Sequence, residues 1–297
     1  MAEKMLEGLG VALVTPFNKD TSIDYEALEK LIEHVIKGGC DYLVALGTTG
    51  ETPTLSYEEK VIVTRFIREK SAERVPLVLG VGGNSTSKVV EDIKRRDLEG
   101  YSAILSVTPY YNKPNQEGLF LHYKAISEAS PLPIILYNVP GRTGVNLSAK
   151  TTLRLSELSK NIIGVKEASG KLEQAEEIIK NASTGFSVIS GDDASVAPLM
   201  QRGATGVISV LANAFPTIMK QLVTLCREHK YEEANTLQLK LQSIIGHLFE
   251  DGNPAGVKAI LSKMGIVENI LRLPLVPASK ETVEKLFKET EELQRES

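Results

Sequence analysis

What this chain of 297 residues lacks already narrows its chemistry. It has two cysteines, Cys40 and Cys226, too few for a disulfide framework and read as reduced thiols. No apolar run approaches the roughly 18–20 residues that span a bilayer. The N-terminus lacks the charged, then apolar, then small order of a signal peptide. A cytoplasmic location is therefore the expectation. The net charge of -4 gives no electrostatic case for nucleic acid or an anionic membrane surface. The histidines are His34, His122, His229 and His247; they form no His-x-x-x-His pair and no Cys/His cluster, which argues against zinc-dependent chemistry. No Gly-x-Gly-x-x-Gly opens a helix, which weakens a dinucleotide site. No linker or low-complexity tract is visible.

What is present is an ordinary globular composition, 42% hydrophobic and 24% charged. Eight apolar runs recur, each closed by turn residues: 8–17, 42–50, 76–83, 102–111, 133–141, 162–169, 186–193 and 206–213. Most are rich in Val, Ile and Leu with little polar alternation, as in parallel strands buried on both faces. Between them lie amphipathic stretches of helical length. Asp24 is an N-cap candidate for 24–37, with Gly38 and Gly39 as its stop. Ser56 and Glu59 have capping-box spacing. Further helices are expected over 88–99, 116–128, 148–158 and 172–181. Eight βα units predict a (β/α)8 TIM barrel, with an open doubly wound sheet as the alternative. After Phe215-Pro216 the strands stop. Residues 1–215 are thus expected to form the barrel. Residues 216–297, broken near Asn253-Pro254 and Leu273-Pro274, are expected to form a C-terminal helical appendage rather than an independent domain.

In such a barrel the site lies at the C-terminal ends of the strands. Lys166 ends the sixth run. Desolvation there disfavours an ammonium, and a neutral amine can attack a carbonyl to form a Schiff base. The plainer reading is a stem on apolar surface with its head in water. The same rim carries Gly47-Thr48-Thr49-Gly50-Glu51, Tyr110-Tyr111, Tyr137, Arg142 and Gly191-Asp192-Asp193. A glycine-flanked Thr-Thr turn can hold a carboxylate. Tyrosines beside a threonine can pass protons, and Arg142 can pair bidentately with a second carboxylate. Each has a structural alternative: a simple turn, core or interface aromatics, a solvated loop charge, and for Asp192-Asp193 a turn or helix cap. Together they suggest carbon–carbon bond chemistry on an α-keto acid through an imine and enamine. No glycine-rich anion turn follows the last two strands, which disfavours a phosphorylated substrate.

Six stretches in order carry a family resemblance: Ala12–Phe17, Gly47–Glu51, Thr108–Pro114, Tyr137–Thr143, Gly164–Ala168 and Ser190–Asp193. The chain resembles the dihydrodipicolinate synthases, also called 4-hydroxy-tetrahydrodipicolinate synthases, from about residue 8 to 290. That resemblance implies that pyruvate forms an imine on Lys166, with no other cofactor and no metal. Its enamine would then attack aspartate-4-semialdehyde, in lysine and diaminopimelate biosynthesis. It implies a proton relay of Thr48, Tyr111 and Tyr137, with Tyr111 supplied by a neighbouring subunit of a homotetramer built as a dimer of dimers. Thr49 would help hold the pyruvate carboxylate and Arg142 that of the semialdehyde, with Gly191 and Ile208 lining the pocket. N-acetylneuraminate lyases and 2-keto-3-deoxy sugar-acid aldolases are similar. Sialic acid lyases usually carry Gly-Ser-Thr-Gly in place of Gly47–Gly50 and lack the arginine seen here as Arg142. A silent paralogue that binds a keto acid is the alternative of another class. At the family's lysine-inhibition site Asn84 and Tyr110 match, whereas Tyr57 and Lys60 stand at the histidine positions and Lys88 at the glutamate. Two cations there would repel a lysine ammonium, so feedback inhibition is expected to be weak or absent.

Overall fold

Eight parallel strands pair in sequence order and close on themselves in the computed structural model, which describes residues 7–296. The first residues of the stretch read for a signal peptide lie outside the described residues. The strands are β1 (Gly8–Ala12), β2 (Tyr42–Ala45), β3 (Leu77–Gly80), β4 (Ala103–Val107), β5 (Ile134–Asn138), β6 (Ile162–Glu167), β7 (Ser187–Ser190) and β8 (Gly206–Ser209). Closure runs through β1 and β8, where Gly8 faces Gly206 and Gly10 faces Ile208. A Cβ on Gly206 would stand 2.0 Å from the Gly8 carbonyl oxygen, so only glycine allows that approach. The chain is thus a (β/α)8 barrel followed by C-terminal helices, as the eight runs predict.

Each strand is shorter than its apolar run. The excess is the rim: Leu13, Val14 and Leu46 remain buried although the ladder has ended. Apolar content reports burial, and these loop residues share it with the strands.

The helices are α1 (Tyr25–Lys37), α2 (Tyr57–Ser71), α3 (Thr86–Arg95), α4 (Gln116–Ala129), α5 (Pro140–Thr143), α6 (Ala149–Leu158), α7 (Leu172–Asn181), α8 (Val196–Met200), α9 (Pro216–Arg227), α10 (Tyr231–Phe249), α11 (Ala255–Lys263) and α12 (Lys280–Glu296). Their starts follow from side-chain caps. Asp24 accepts from the Ala27 N–H at 2.9 Å. Ser56 and Glu59 complete both halves of the capping box. Helix α3 lies earlier than the expected 88–99, because Asp97 turns the chain by accepting from the Glu99 N–H. Helices α5 and α8, of four and five residues, are too short to show a period in the sequence. Helix α9 packs on β1 and on the turn after β8.

Two apolar layers result. One lies between strands and helices. The other fills the lumen with Tyr42, Val44, Leu105, Ile135, Tyr137, Ile163, Ile189 and Ile208 among others. Cys40 and Cys226 are buried free thiols, pushed up by burial to about 12 and about 11.

The facing of β6 depends on an irregularity. Ile134 pairs with Ile162 and Ile135 with Gly164, so Ile163 is skipped. Ile163 packs in the lumen while Val165, two residues on, packs in the outer layer. A regular strand would put both on one face. The extra residue re-phases the strand, so Lys166 falls opposite Tyr137 and Glu167 opposite Asn138.

Candidate active site

Lys166 is 5% exposed and stands at the C-terminal end of β6. Its Nζ lies 4.4 Å from the centroid of the Tyr137 ring. Gly191, just after β7, makes room for it: a Cβ there would come within 3.1 Å of both Cγ and Cε of Lys166. The outward side of the same strand pair is tied by polar bonds. Asn138 Nδ2 reaches both Glu167 carboxylate oxygens at 3.1 and 3.0 Å, and Gln174 Nε2 donates to Glu167 at 3.0 Å. These bonds fix β5 against β6 and with them the Tyr137–Lys166 pair.

Above the lumen a cavity of about 440 Å3 is lined by Gly47, Thr48, Lys60, Tyr110, Tyr137 and Arg142 among others. It lies at the C-terminal strand ends. A second cavity of about 410 Å3 opens at the other end of the barrel, beside Met200, Ala204 and Cys226, and none of the expected site residues lines it. Thr48 sits in a single 3-10 turn, Thr48–Gly50, that no side chain caps. Thr49 lies behind it at 2% exposure. Arg142 is exposed on α5, whose Thr143 accepts from the Thr108 hydroxyl and donates to the Val139 and Val145 carbonyls. Ile208 is buried in the lumen wall.

Tyr111 does not line this cavity; its side chain is 83% exposed and its φ is 73°, rare for a tyrosine. Tyr110 lines the cavity instead, and its carbonyl accepts from Asn84 Nδ2 at 3.3 Å. Lys60 shares that wall, its amine held below the usual lysine range by burial and then by Arg96. Tyr57 packs beneath the Arg95 guanidinium at 4.1 Å, with Arg96 at 5.8 Å, and Lys88 is exposed on α3. Asp192 is a cap, accepting from the Ala194 N–H. Asp193 is a buried strut whose carboxylate accepts from the Val210 and Leu211 N–H groups, at 3.0 Å each. Burial pushes its carboxyl upward.

Sequence reasoning missed the groups beneath the Thr48–Thr49 turn. Glu51 and Lys258 form an ion pair at 2.5 Å with both side chains wholly buried. Asn253 Nδ2 donates to Thr49 Oγ1 at 3.0 Å. The apolar surroundings of Lys258 in 255–261 gave the only signal, and they do not reveal its partner. Among the described residues no group of three His, Cys, Asp or Glu is placed to hold a metal ion, and no helix is long and apolar enough to cross a membrane.

Fold and site together define a (β/α)8 barrel with a buried lysine at its mouth, between a tyrosine and a glycine. The chain belongs to the dihydrodipicolinate synthetase family, whose profile matches residues 5–293. It is 54% identical over 286 residues to the 4-hydroxy-tetrahydrodipicolinate synthase of Parabacteroides distasonis, covering 96% of each chain. Among solved structures it resembles a monomeric dihydrodipicolinate synthase variant, with TM-score 0.95, 41% identity, and 98% and 97% of the two chains covered. It also resembles the chloride-inhibited dihydrodipicolinate synthase of Acinetobacter baumannii complexed with pyruvate, with TM-score 0.92, 42% identity, and 96% and 99% covered.

Proposed function

We propose that this chain is a 4-hydroxy-tetrahydrodipicolinate synthase, a lyase-class condensing enzyme of lysine and diaminopimelate biosynthesis. The observation that carries the reading is Lys166, buried at the end of β6 and stacked on Tyr137 at the mouth of the barrel. Its amine attacks C2 of pyruvate, and water leaves as the imine forms. Loss of a methyl proton gives the enamine. The enamine carbon then bonds to the aldehyde carbon of aspartate-4-semialdehyde, whose oxygen takes up a proton. The amino group of that half finally attacks C2 and displaces Lys166, closing the ring.

The other roles follow from chemistry and position. Thr48 and Tyr137 pass protons at the cavity wall, joined by Tyr111 from a neighbouring subunit. Thr49 holds the keto-acid carboxylate with its turn, and Arg142 at the rim takes the carboxylate of the semialdehyde. Gly191 and Ile208 shape the pocket around Lys166. The covalent imine serves in place of any cofactor. The 83% exposure of Tyr111 in one chain supports a homo-oligomer, read as a dimer of dimers. A cytoplasmic location is proposed on the same footing.

The test is borohydride reduction with pyruvate, followed by peptide mass spectrometry and by turnover of aspartate-4-semialdehyde against sialic acid. A pyruvyl adduct on Lys166 and preference for the semialdehyde are expected. No adduct sinks the Schiff-base reading and favours a silent binder, and preference for sialic acid turns the assignment to the lyases.

A further inference from the structure

The turn after β2 is held by residues two hundred positions further along the chain. Asn253, 8% exposed just ahead of α11, donates to the Thr49 hydroxyl oxygen. Its other amide atom, Oδ1, is buried without a hydrogen-bond partner among the described residues. A buried amide kept half-satisfied calls for a reason. Two residues beyond Thr49, Glu51 adopts φ 51°, a left-handed conformation that side chains rarely take. Its carboxylate accepts from Lys258 Nζ at 2.5 Å and from the Arg272 N–H at 3.1 Å. Lys258 donates as well to the Ile270 carbonyl at 2.8 Å. Phe17 lies against both cations, 4.2 Å from Lys258 Nζ and 4.5 Å from the Arg272 guanidinium carbon. Arg272 also donates to the Thr54 carbonyl at 3.0 Å. Residues 49, 51 and 54 are thus each anchored from the C-terminal segment.

We propose that Asn253 is a positioning residue for the keto-acid carboxylate, steadied by the Glu51–Lys258 pair that holds the same turn. By donating to Thr49 Oγ1, the Asn253 amide engages a lone pair of that hydroxyl and not its proton. The hydroxyl proton is then left for the substrate carboxylate. The C-terminal helices thereby set the polarity of a group on the opposite side of the sequence. The inference rests on the reading in which Thr49 serves that carboxylate.

The near-isosteric change Asn253→Asp reverses the polarity, because a carboxylate takes the Thr49 proton for itself. In the full-length chain, Asn253→Asp should raise the pyruvate KM about tenfold or more, along with the pyruvate concentration that half-saturates borohydride trapping on Lys166. The semialdehyde KM should stay within about twofold. Asn253→Ala should give a smaller rise of the same kind. Thr49→Val removes the hydroxyl and should also raise both pyruvate values. In the Thr49→Val background, Asn253→Asp should add little, since the two residues act as one unit. A rise with Thr49→Val and none with either Asn253 variant overturns the positioning role while leaving the carboxylate reading intact. No rise with Thr49→Val overturns that reading and the inference with it. Equal losses in both substrates' KM and in kcat mean a merely structural role, and overturn the inference too. If the Asp form fails to fold, Asn253→Ala decides alone.

Discussion

Tyr137 and Lys166 are direct register partners on β5 and β6, and Lys166 Nζ stands 4.4 Å from the centroid of the Tyr137 ring. The ring is therefore both a wall for the lysine and a carrier for the phenol. Tyr137→Phe separates these functions. The ring keeps Lys166 in place and the proton carrier is lost, so kcat should fall roughly 10²–10³-fold with little change in melting temperature. Tyr137→Ala also empties part of the lumen, at a cost of about 3 kcal/mol in stability. Steady-state kinetics beside thermal unfolding separate the two. A Phe variant with wild-type kcat removes Tyr137 from the relay.

Gly191 gives a sharper steric test. The Cβ of an alanine would stand 2.7 Å from the Ala168 Cβ and 3.1 Å from two atoms of Lys166. Either β7 shifts or Lys166 leaves its rotamer, and both displace the amine. Gly191→Ala should fold yet trap pyruvate far more slowly, by about tenfold or more, given the sensitivity of such reactions to small misplacements. Unchanged trapping would show that Lys166 tolerates a shift its surroundings do not suggest.

Much of this could be read from the residues in order, and the failures have physical causes. The eight runs located eight strands because parallel strands are buried on both faces. The rim residues Thr48, Tyr110, Tyr137 and Arg142 meet on one cavity because strand ends converge in a closed barrel. The facing of Lys166 was not legible. Plain alternation along 162–167 groups it with Ile162 and Gly164, away from Ile163, and only the skipped pairing at Ile163 turns it toward Tyr137. Nor could Lys258 be matched to Glu51 across 207 positions, since a buried lysine announces a partner without naming it.

Tyr111 reports on assembly. In a single chain it is exposed, holds a left-handed backbone and stands off the lining of that chain's own cavity. If a neighbouring site uses it, two defective chains should complement each other. Tyr111→Phe and Lys166→Ala are each expected to be nearly inactive. Unfolded together and refolded, they form some mixed oligomers in which one site has both an intact Lys166 and an intact Tyr111. Activity should return well above either parent. No recovery, with mixed oligomers shown by native mass spectrometry, places Tyr111 in the site of its own chain or outside catalysis.

Cationic side chains stand around Tyr57. The Arg95 guanidinium lies over its ring at 4.1 Å, Arg96 stands farther off at 5.8 Å and is paired with Asp92, and Lys60 opens onto the cavity. A lysine effector brings a further ammonium, whose repulsion strengthens as water is excluded. Turnover should therefore be insensitive to millimolar lysine at saturating pyruvate. Inhibition that approaches completion there defeats the expectation.

His122 gives the chain an acid sensitivity of its own. It is 3% exposed on α4, its Nδ1 pairs with the Thr86 hydroxyl at 2.9 Å, and its Nε2 is buried without a partner among the described residues. Burial lowers it from 6.5 to about 4. The folded chain therefore keeps this imidazole neutral where the unfolded chain protonates it. Between those two values the unfolded state binds more protons, so stability rises with pH. The contribution is complete above about 6.5 and is lost as pH falls toward about 4. From about pH 7 to about pH 5 the loss amounts to roughly 2 kcal/mol. His122→Asn keeps a partner for Thr86 but cannot titrate, so its unfolding free energy should fall less steeply over that range. Urea melts of both chains at matched protein concentration measure the difference. Parallel pH profiles mean that His122 is not the group that senses acid.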